Sequence, residues 1–390
     1  MASRFEVSGG MARGWRDRVL ALTVATALLA GCGGAGVAGP AASGSVPPAA
    51  ATVAASTAPL SPPRKVNVVD ETQLPEAGTY LAVDRGYFRD EGLDVQLTRL
   101  STLTDELGPI STGQVDVGWA PSADPGFFNA LTRSVQMRIA GCLTPVTRQG
   151  QGSNSASLVV RQDLIDSGRY KSLADLKGMT VAEYSGSPSI ITYLYEQWLA
   201  AGGLTPNDIT LVVVPPPDIV PAFANKKIDA SFLVQPFTGL AQQQHLGSPV
   251  ESASGIMAPA SCAQFLVFSE NFAAKQPDVA QRYVIAWLKG QRDFWHAIDK
   301  AEGGTQEVFT SISAHTALKD PKQLAAMMQA NALQYVDPNG GAPLARAAQD
   351  SEVYQNWFIK KGVQQQKVDL TKYIDQSFLD RALQQLGRVS

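Results

Sequence analysis

Lys177-Gly178-Met179-Thr180-Val181-Ala182-Glu183-Tyr184-Ser185-Gly186-Ser187-Pro188-Ser189-Ile190-Ile191-Thr192-Tyr193 joins a short β-prone run, Met179 to Ala182, to a small polar loop. The loop opens into a helical pattern that runs from Ile190 to Ala201. Strand, Gly/Ser loop and helix start aim unpaired backbone N–H groups and the positive end of a helix dipole at one place. Such a place suits an anion or a polar head group. Read alone, it is more simply an ordinary strand-to-helix connection with a serine cap, and the rest of the chain shifts that reading.

The same design recurs elsewhere in the chain. Lys65-Val66-Asn67-Val68-Val69 reads as a strand, Asp70 to Gly78 as a polar loop, and Thr79 to Phe88 as a helix closed by Gly86 in the left-handed position. Gly92 to Leu97 supplies a turn and a second strand. Leu107 to Thr112 is helical and leads through Gln114-Val115-Asp116 into a strand ending at Ala120; Val220 to Asn225 is helical and leads through Lys227-Ile228-Asp229 into a strand ending at Leu233. Two such βαβ halves imply two α/β lobes with mostly parallel sheets and flanking helices. In sheets of that kind ligands sit beyond the carboxyl ends of the strands, here the loops after Val69, Ala120, Glu183 and Val234.

Ser157 to Arg161 and Gln264 to Ser269 are two strands of similar texture, expected beside the crossovers between lobes. The first lobe is then discontinuous, residues 64–160 plus 256–390, and the second spans 161–255. The C-terminal part is helical, with patterns over Phe272 to Ile298, Leu324 to Leu333, Gln349 to Lys360 and Ser377 to Leu386. Trp287, Trp295 and Trp357 on these helices are read as core residues.

The chain has 390 residues and is 45% hydrophobic, enough for two cores. Its net charge of −3 gives no basic surface for nucleic acid. Arg13, Arg16 and Arg18 precede an apolar run, Val19 to Ala30, too short to span a bilayer permanently. The ending Leu29-Ala30-Gly31-Cys32 resembles the bacterial lipoprotein signal. That resemblance implies a signal peptide over residues 1–31 (or starting at Met11), cleavage before Cys32, and lipid on its sulfur. Residues 33–63 are almost entirely Gly, Ala, Ser, Val, Thr and Pro, a flexible tether reaching roughly 30 Å. The remaining Cys142 and Cys262 form an even pair in an oxidising compartment, bridged or else two small buried thiols.

Tyr80-Leu81-Ala82-Val83-Asp84-Arg85-Gly86-Tyr87-Phe88-Arg89-Asp90-Glu91-Gly92-Leu93-Asp94-Val95 resembles the opening of ABC-transporter substrate-binding proteins of the nitrate/sulfonate/taurine and thiamine-pyrimidine-precursor type. Ser172 to Gly178 and Lys227 to Ala230 are similar to two further landmarks of that family, in the same order. The resemblance implies a two-lobed periplasmic-binding-protein fold of type II that closes about a hinge. It also implies a monomer, membrane-anchored on the extracytoplasmic face, that hands a small molecule to a permease with an ATPase partner and needs no cofactor. Where family members often carry Glu-Pro, this chain has Gln235-Pro236.

A solute in the cleft is expected to meet Gln73, Glu76 and Tyr80, then Trp119, Ser122 and Asp124, from the first lobe. From the second it meets Ser185, Gly186, Ser187 and Ser189, then Gln235 and Phe237. Trp119 offers a flat face or fills the core. Ser185 and Ser187 suit a sulfonate or carboxylate or cap a helix, whereas Glu76 and Asp124 suit amines and ring N–H groups or cap a helix themselves. The mixture favours a heterocyclic or amphiphilic solute over bare nitrate. His245, His296 and His315 form no metal-ligand pair, and no nucleophile elbow or phosphate loop occurs. An enzyme of the pyrimidine-synthesis type on this fold is one rival, but it needs a histidine and a cofactor-bearing lysine in the cleft, and none of the three histidines lies in an expected cleft loop. A ligand sensor docking on a membrane receptor is another.

Overall fold

The computed structural model describes residues 58–100, 103–133, 135–145, 156–186, 188–235, 237–253, 256, 262–299, 304–316, 318–330, 336–341 and 344–389. The leader, Cys32, residues 33–57 of the tether, Ser187 and Pro236 lie outside the described residues. Ten strands follow one another as β1 (Arg64–Asp70), β2 (Leu93–Arg99), β3 (Val117–Pro121), β4 (Met137–Pro145), β5 (Ala156–Arg161), β6 (Thr180–Glu183), β7 (Thr210–Val213), β8 (Ala230–Val234), β9 (Gly247–Ser252) and β10 (Cys262–Ser269). They form two five-stranded sheets, β2-β1-β3-β10-β4 and β7-β6-β8-β5-β9.

The two sheets share one plan. In each, the first three strands of the order are parallel, and the fourth is antiparallel to both neighbours. The parallel half is the one that the helix–strand units imply; the antiparallel half comes from strands that cross between sheets. β5 pairs Ala156 with Val234 and Ser157 with Ser252, so it belongs wholly to the second sheet. A boundary after Val160 would cut this strand, and the sheet boundary falls before Ala156 instead. The apolar run Leu158-Val159-Val160 fits either sheet equally, and only its pairing partners decide.

The register carries the functional geometry. β5 and β10 both start at the carboxyl ends of the parallel strands beside them, and β4 and β9 both finish there. Both crossings between sheets therefore leave from the carboxyl-end edge. Next to them Cys142 and Cys262 lie with Sγ atoms 2.11 Å and Cα atoms 5.8 Å apart, tying β4 to β10.

The two helix–strand turns noted in the sequence are physically equivalent. Asp116 Oδ2 accepts from the Asn67 amide at 2.9 Å, and Asp229 Oδ2 accepts from the Thr180 amide at 2.9 Å. Each aspartate pins the start of one strand to its parallel neighbour, and a neutral side chain would leave that amide unmade. Asp229 also faces Arg161 at 3.0 Å. Asp229→Ala should therefore lower the unfolding free energy by about 2 kcal/mol in urea melts. No change would mean that water replaces both contacts.

The helical pattern from Phe272 to Ile298 is two helices, Glu270–Lys275 and Pro277–Asp299. Pro277 cannot donate into a preceding turn and so begins the second one. Trp287 on it is fully buried. The C-terminal helices touch both sheets' layers. Leu344–Lys360 packs Phe358 against Phe128 at 6.3 Å, while its Tyr354 and Trp357 meet Tyr193 at 5.4 and 5.6 Å. Trp357 Nε1 also donates to Glu196 Oε2 at 2.8 Å, and Lys361 pairs with the same carboxylate. Pro321–Ala330 reaches the second lobe as well, through Gln323 Nε2 donating to Gln243 Oε1 at 3.0 Å. No helix among the described residues is long and apolar enough to cross a membrane.

Candidate functional site

The loop after β1 folds back over the sheet end, and its center is a buried group of acids. Glu76 accepts from the amides of Glu71 (3.1 Å) and Gln73 (3.0 Å) and from the Tyr80 hydroxyl (2.7 Å). The same hydroxyl lies 2.8 Å from Asp70 Oδ1. One phenol proton serves one carboxylate at a time, so the second contact favours a protonated acid. Burial pushes Glu76 up to about 7, with Asp70 adding to the shift and its hydrogen bonds opposing it. Tyr80, wholly buried, is held above the usual phenol range by burial and by the two carboxylates. Its ring stacks on His315 at 4.7 Å with planes 5° apart.

Glu106, on the helix Leu103–Thr112, completes the group. It is 0% exposed and receives no N–H donor with good geometry, but its carboxyl lies against that of Glu71, with which it shares a proton. Burial raises its pKa strongly, and the neighbouring Glu71 and Glu76 carboxyls raise it further. The Trp119 amide opposes that shift without reaching hydrogen-bonding geometry. A cation at the edge is Arg99, 3.5 Å from Asp70, with 69% of its side chain in solvent.

In the second lobe β6 ends on Glu183, also 0% exposed. Glu183 Oε2 accepts the Ser185 amide at 2.8 Å, and the Gly186 amide likewise lowers its pKa against the rise from burial. Ser189 caps the helix Ile190–Ala201 by a reciprocal pair with Thr192, whose hydroxyl accepts the Ser189 amide at 2.8 Å. The amides of Ser185, Ser189 and Thr192 are thus taken by the chain's own oxygens.

The other expected contacts divide. Gln73 is exposed and donates to Glu71 at 2.8 Å. Trp119 is half-buried between two apolar clusters, one of which runs on into the second lobe, and its Nε1 is buried with no partner among the described residues. Ser122 is buried, its amide donating to Ala263 at 3.0 Å. Asp124 caps the helix Pro125–Thr132 by accepting from the Phe127 amide at 3.0 Å. Ser185 is exposed, and Gly186 has the positive φ of 76° that its turn requires. Gln235 Oε1 accepts from the Gly239 amide at 3.1 Å, and Phe237 packs into the second lobe's own apolar cluster.

Sequence reasoning missed Asp70, Glu106, Glu183 and His315 as site residues. A signal existed for Glu106: it stands four residues before Ile110, on the helix face that Ile110 buries. Asp70 and Glu183 are the last residues of equivalent strands, and their likeness emerges only once the two sheets are superposed in register. His315 arrives from a helix, Thr305–His315, more than two hundred residues away from Tyr80.

Residues 72–313 match the model of the NMT1-like family. A Brucella abortus (strain 2308) protein named as a candidate binding protein is 27% identical over 218 residues, which cover 55% of this chain and 62% of that protein. The chain thus matches a little under two thirds of that relative's length. Among solved structures, the periplasmic aliphatic sulphonate binding protein of Escherichia coli superposes with a TM-score of 0.64 at 18% identity, covering 80% of this chain and 92% of that one. A desulfurization enzyme, DSZB, superposes with a TM-score of 0.57 at 16% identity, covering 83% of this chain and 99% of that one. At such identities these likenesses establish the fold.

Proposed function

The chain belongs to the NMT1-like family, and from that premise we propose that it is an extracytoplasmic solute-binding lipoprotein. It holds a small heterocyclic or amphiphilic molecule between its lobes and delivers it to an ABC importer. One observation carries the reading: both crossings between the sheets leave from the carboxyl ends of the parallel strands. The loops of both lobes then border one gap, and two short connections serve as its hinge. The fold hosts binding proteins and a desulfurization enzyme alike, so function has to be argued from the site. The described site offers buried acids and an indole, without a paired nucleophile and base.

Closure follows from differential affinity. A solute touching both lobes stabilises the closed arrangement only by what it gains there over the open one. Glu196, held by Trp357 and Lys361, is placed to assist by joining the C-terminal helix to the second lobe. A thermal-shift screen against sulfonates, pyrimidines, flavins, polyamines and inorganic anions should find a solute that raises the melting temperature. Small-angle scattering with that solute should show a smaller radius of gyration. A bound solute that leaves the scattering curve unchanged would sink the hinge mechanism.

A further inference from the structure

The second sheet repeats the order of the first, so β1 answers to β6 and β3 to β8. Beyond the carboxyl end of each of these strands a helix begins. Ala77–Asp84 follows β1 and Ile190–Ala201 follows β6, while Pro125–Thr132 follows β3 and Phe237–Gln243 follows β8. Two helices of the C-terminal part join these four crosswise between the lobes.

Leu344–Lys360 lies on Pro125–Thr132 of the first lobe and on Ile190–Ala201 of the second. Its Phe358 meets Phe128, and its Tyr354 and Trp357 pack edge-on to Tyr193, every one of these rings buried. Phe128 and Tyr193 are each the fourth residue of their helices, so the seam runs close to the gap. Glu196 accepts from Trp357 Nε1 at 2.8 Å and pairs with Lys361, whose ammonium lies 5.2 Å from the center of the Trp357 ring. Pro321–Ala330 makes the reciprocal bridge. Its Leu324 and Met328 pack with Ala77 and Leu81 of the first lobe. Towards the second lobe Gln323 donates to Gln243 at 3.0 Å, and Met327 lies against Gly239, where a Cβ would come within 3.1 Å of its Cγ.

We propose that these two helices are straps across the flanks of the gap, and that the Glu196–Trp357–Lys361 catch limits how far the empty protein opens. Swinging the lobes widely apart would expose Tyr193, Tyr354 and Trp357 and part an ion pair, whereas a short slide along the seam keeps the rings covered. Closure is then a restricted shear at the straps combined with bending at the two peptide connections. The purpose of the device rests on the solute-carrier reading, but its contacts belong to the protein without a solute and are tested there.

Lys361→Glu sets two carboxylates against each other on the seam. Lys367→Glu is the matched control, since Lys367 pairs with Glu352 of the same C-terminal helix, and its reversal alters the net charge equally within the first lobe. Trp357→Phe keeps an aromatic ring and removes only the donor, which covers the case that Lys361→Glu fails to fold. Hydroxyl-radical footprinting of the full chain, without solute, reads the exposure of single side chains, and X-ray scattering reads the spread of the lobes. Lys361→Glu should raise the labelling of Tyr193 and Tyr354 by about threefold and enlarge the radius of gyration. Trp198 and Trp287, in the cores of the second and first lobes, should stay protected. Trp357→Phe should act in the same direction less strongly, and Lys367→Glu should change nothing. Unchanged labelling in both seam variants overturns the proposal, as does a rise shared equally by Trp198 and Trp287 in both. Opened lobes in a protein that binds no solute leave the straps standing and remove the carrier reading; an unchanged seam with a solute that contracts the molecule does the reverse.

Discussion

Replacing Cys142 and Cys262 together by serine is expected to lower the unfolding free energy by about 4–5 kcal/mol. The two cysteines are separated by 120 positions, and the whole second sheet is strung between them. Without a bridge the unfolded chain is free to open that long loop, and its gain in entropy grows with the logarithm of the loop length. The folded state loses little, because β4 and β10 stay paired along their length. Urea melts of the oxidised protein, the reduced protein and the double serine variant measure the difference. Reduced and variant proteins should agree. A change below about 1 kcal/mol would mean that the bridge adds nothing to what the strand pairing already enforces.

That bridge also shows which parts of the molecule were legible in advance. Two cysteines in a chain expected to be exported suggested a pair, yet bringing their Cα atoms to 5.8 Å depends on the pairing of β4 with β10. β4 has no alternation or turn signal to mark it out. The helix–strand turns were readable because Asp116 and Asp229 stand in the same local pattern, and the structure gives both the same task. Ile190–Ala201 was readable to the residue because Ser189 supplies a cap and its apolar spacing is regular. What stayed hidden was long-range: the sheet to which β5 belongs, the C-terminal helix reaching across to Tyr193, and His315 under Tyr80.

The site was half legible for a related reason. Polar residues in loops attract notice as ligand contacts, but in the structure Asp124 and Ser189 spend their oxygens on helix amides. Glu106 attracts none, because an acid within a helix normally faces water. It is distinctive only because Leu103–Thr112 turns it inward beside Gly118, where a Cβ would meet Ile110 Cδ1 at 2.7 Å, so the glycine lets the helix lie close to β3. Buried acids set against one another oppose folding when they ionise, and such conflicts concentrate at functional sites.

The cost of that conflict should be visible as a pH dependence of the empty protein. Glu76 titrates near 4.5 when unfolded and at about 7 when folded. Between those values the folded state keeps a proton that the unfolded state releases, so stability falls as pH rises. The slope is at most about 1.4 kcal/mol per pH unit, and the loss over the interval is roughly 3 kcal/mol. Glu106, raised further by burial and by its acidic neighbours, carries the decline to more alkaline pH. Glu106→Gln removes its share while filling nearly the same volume. Equilibrium melts should find the variant close to wild type at pH 5 and more stable by about 1–3 kcal/mol at pH 8. Equal stability of the two proteins at both pH values would show that water already satisfies Glu106. The expected result instead traces the alkaline loss of stability to one side chain, because a buried carboxyl set against Glu71 and Glu76 is costly to ionise and a carboxamide is not.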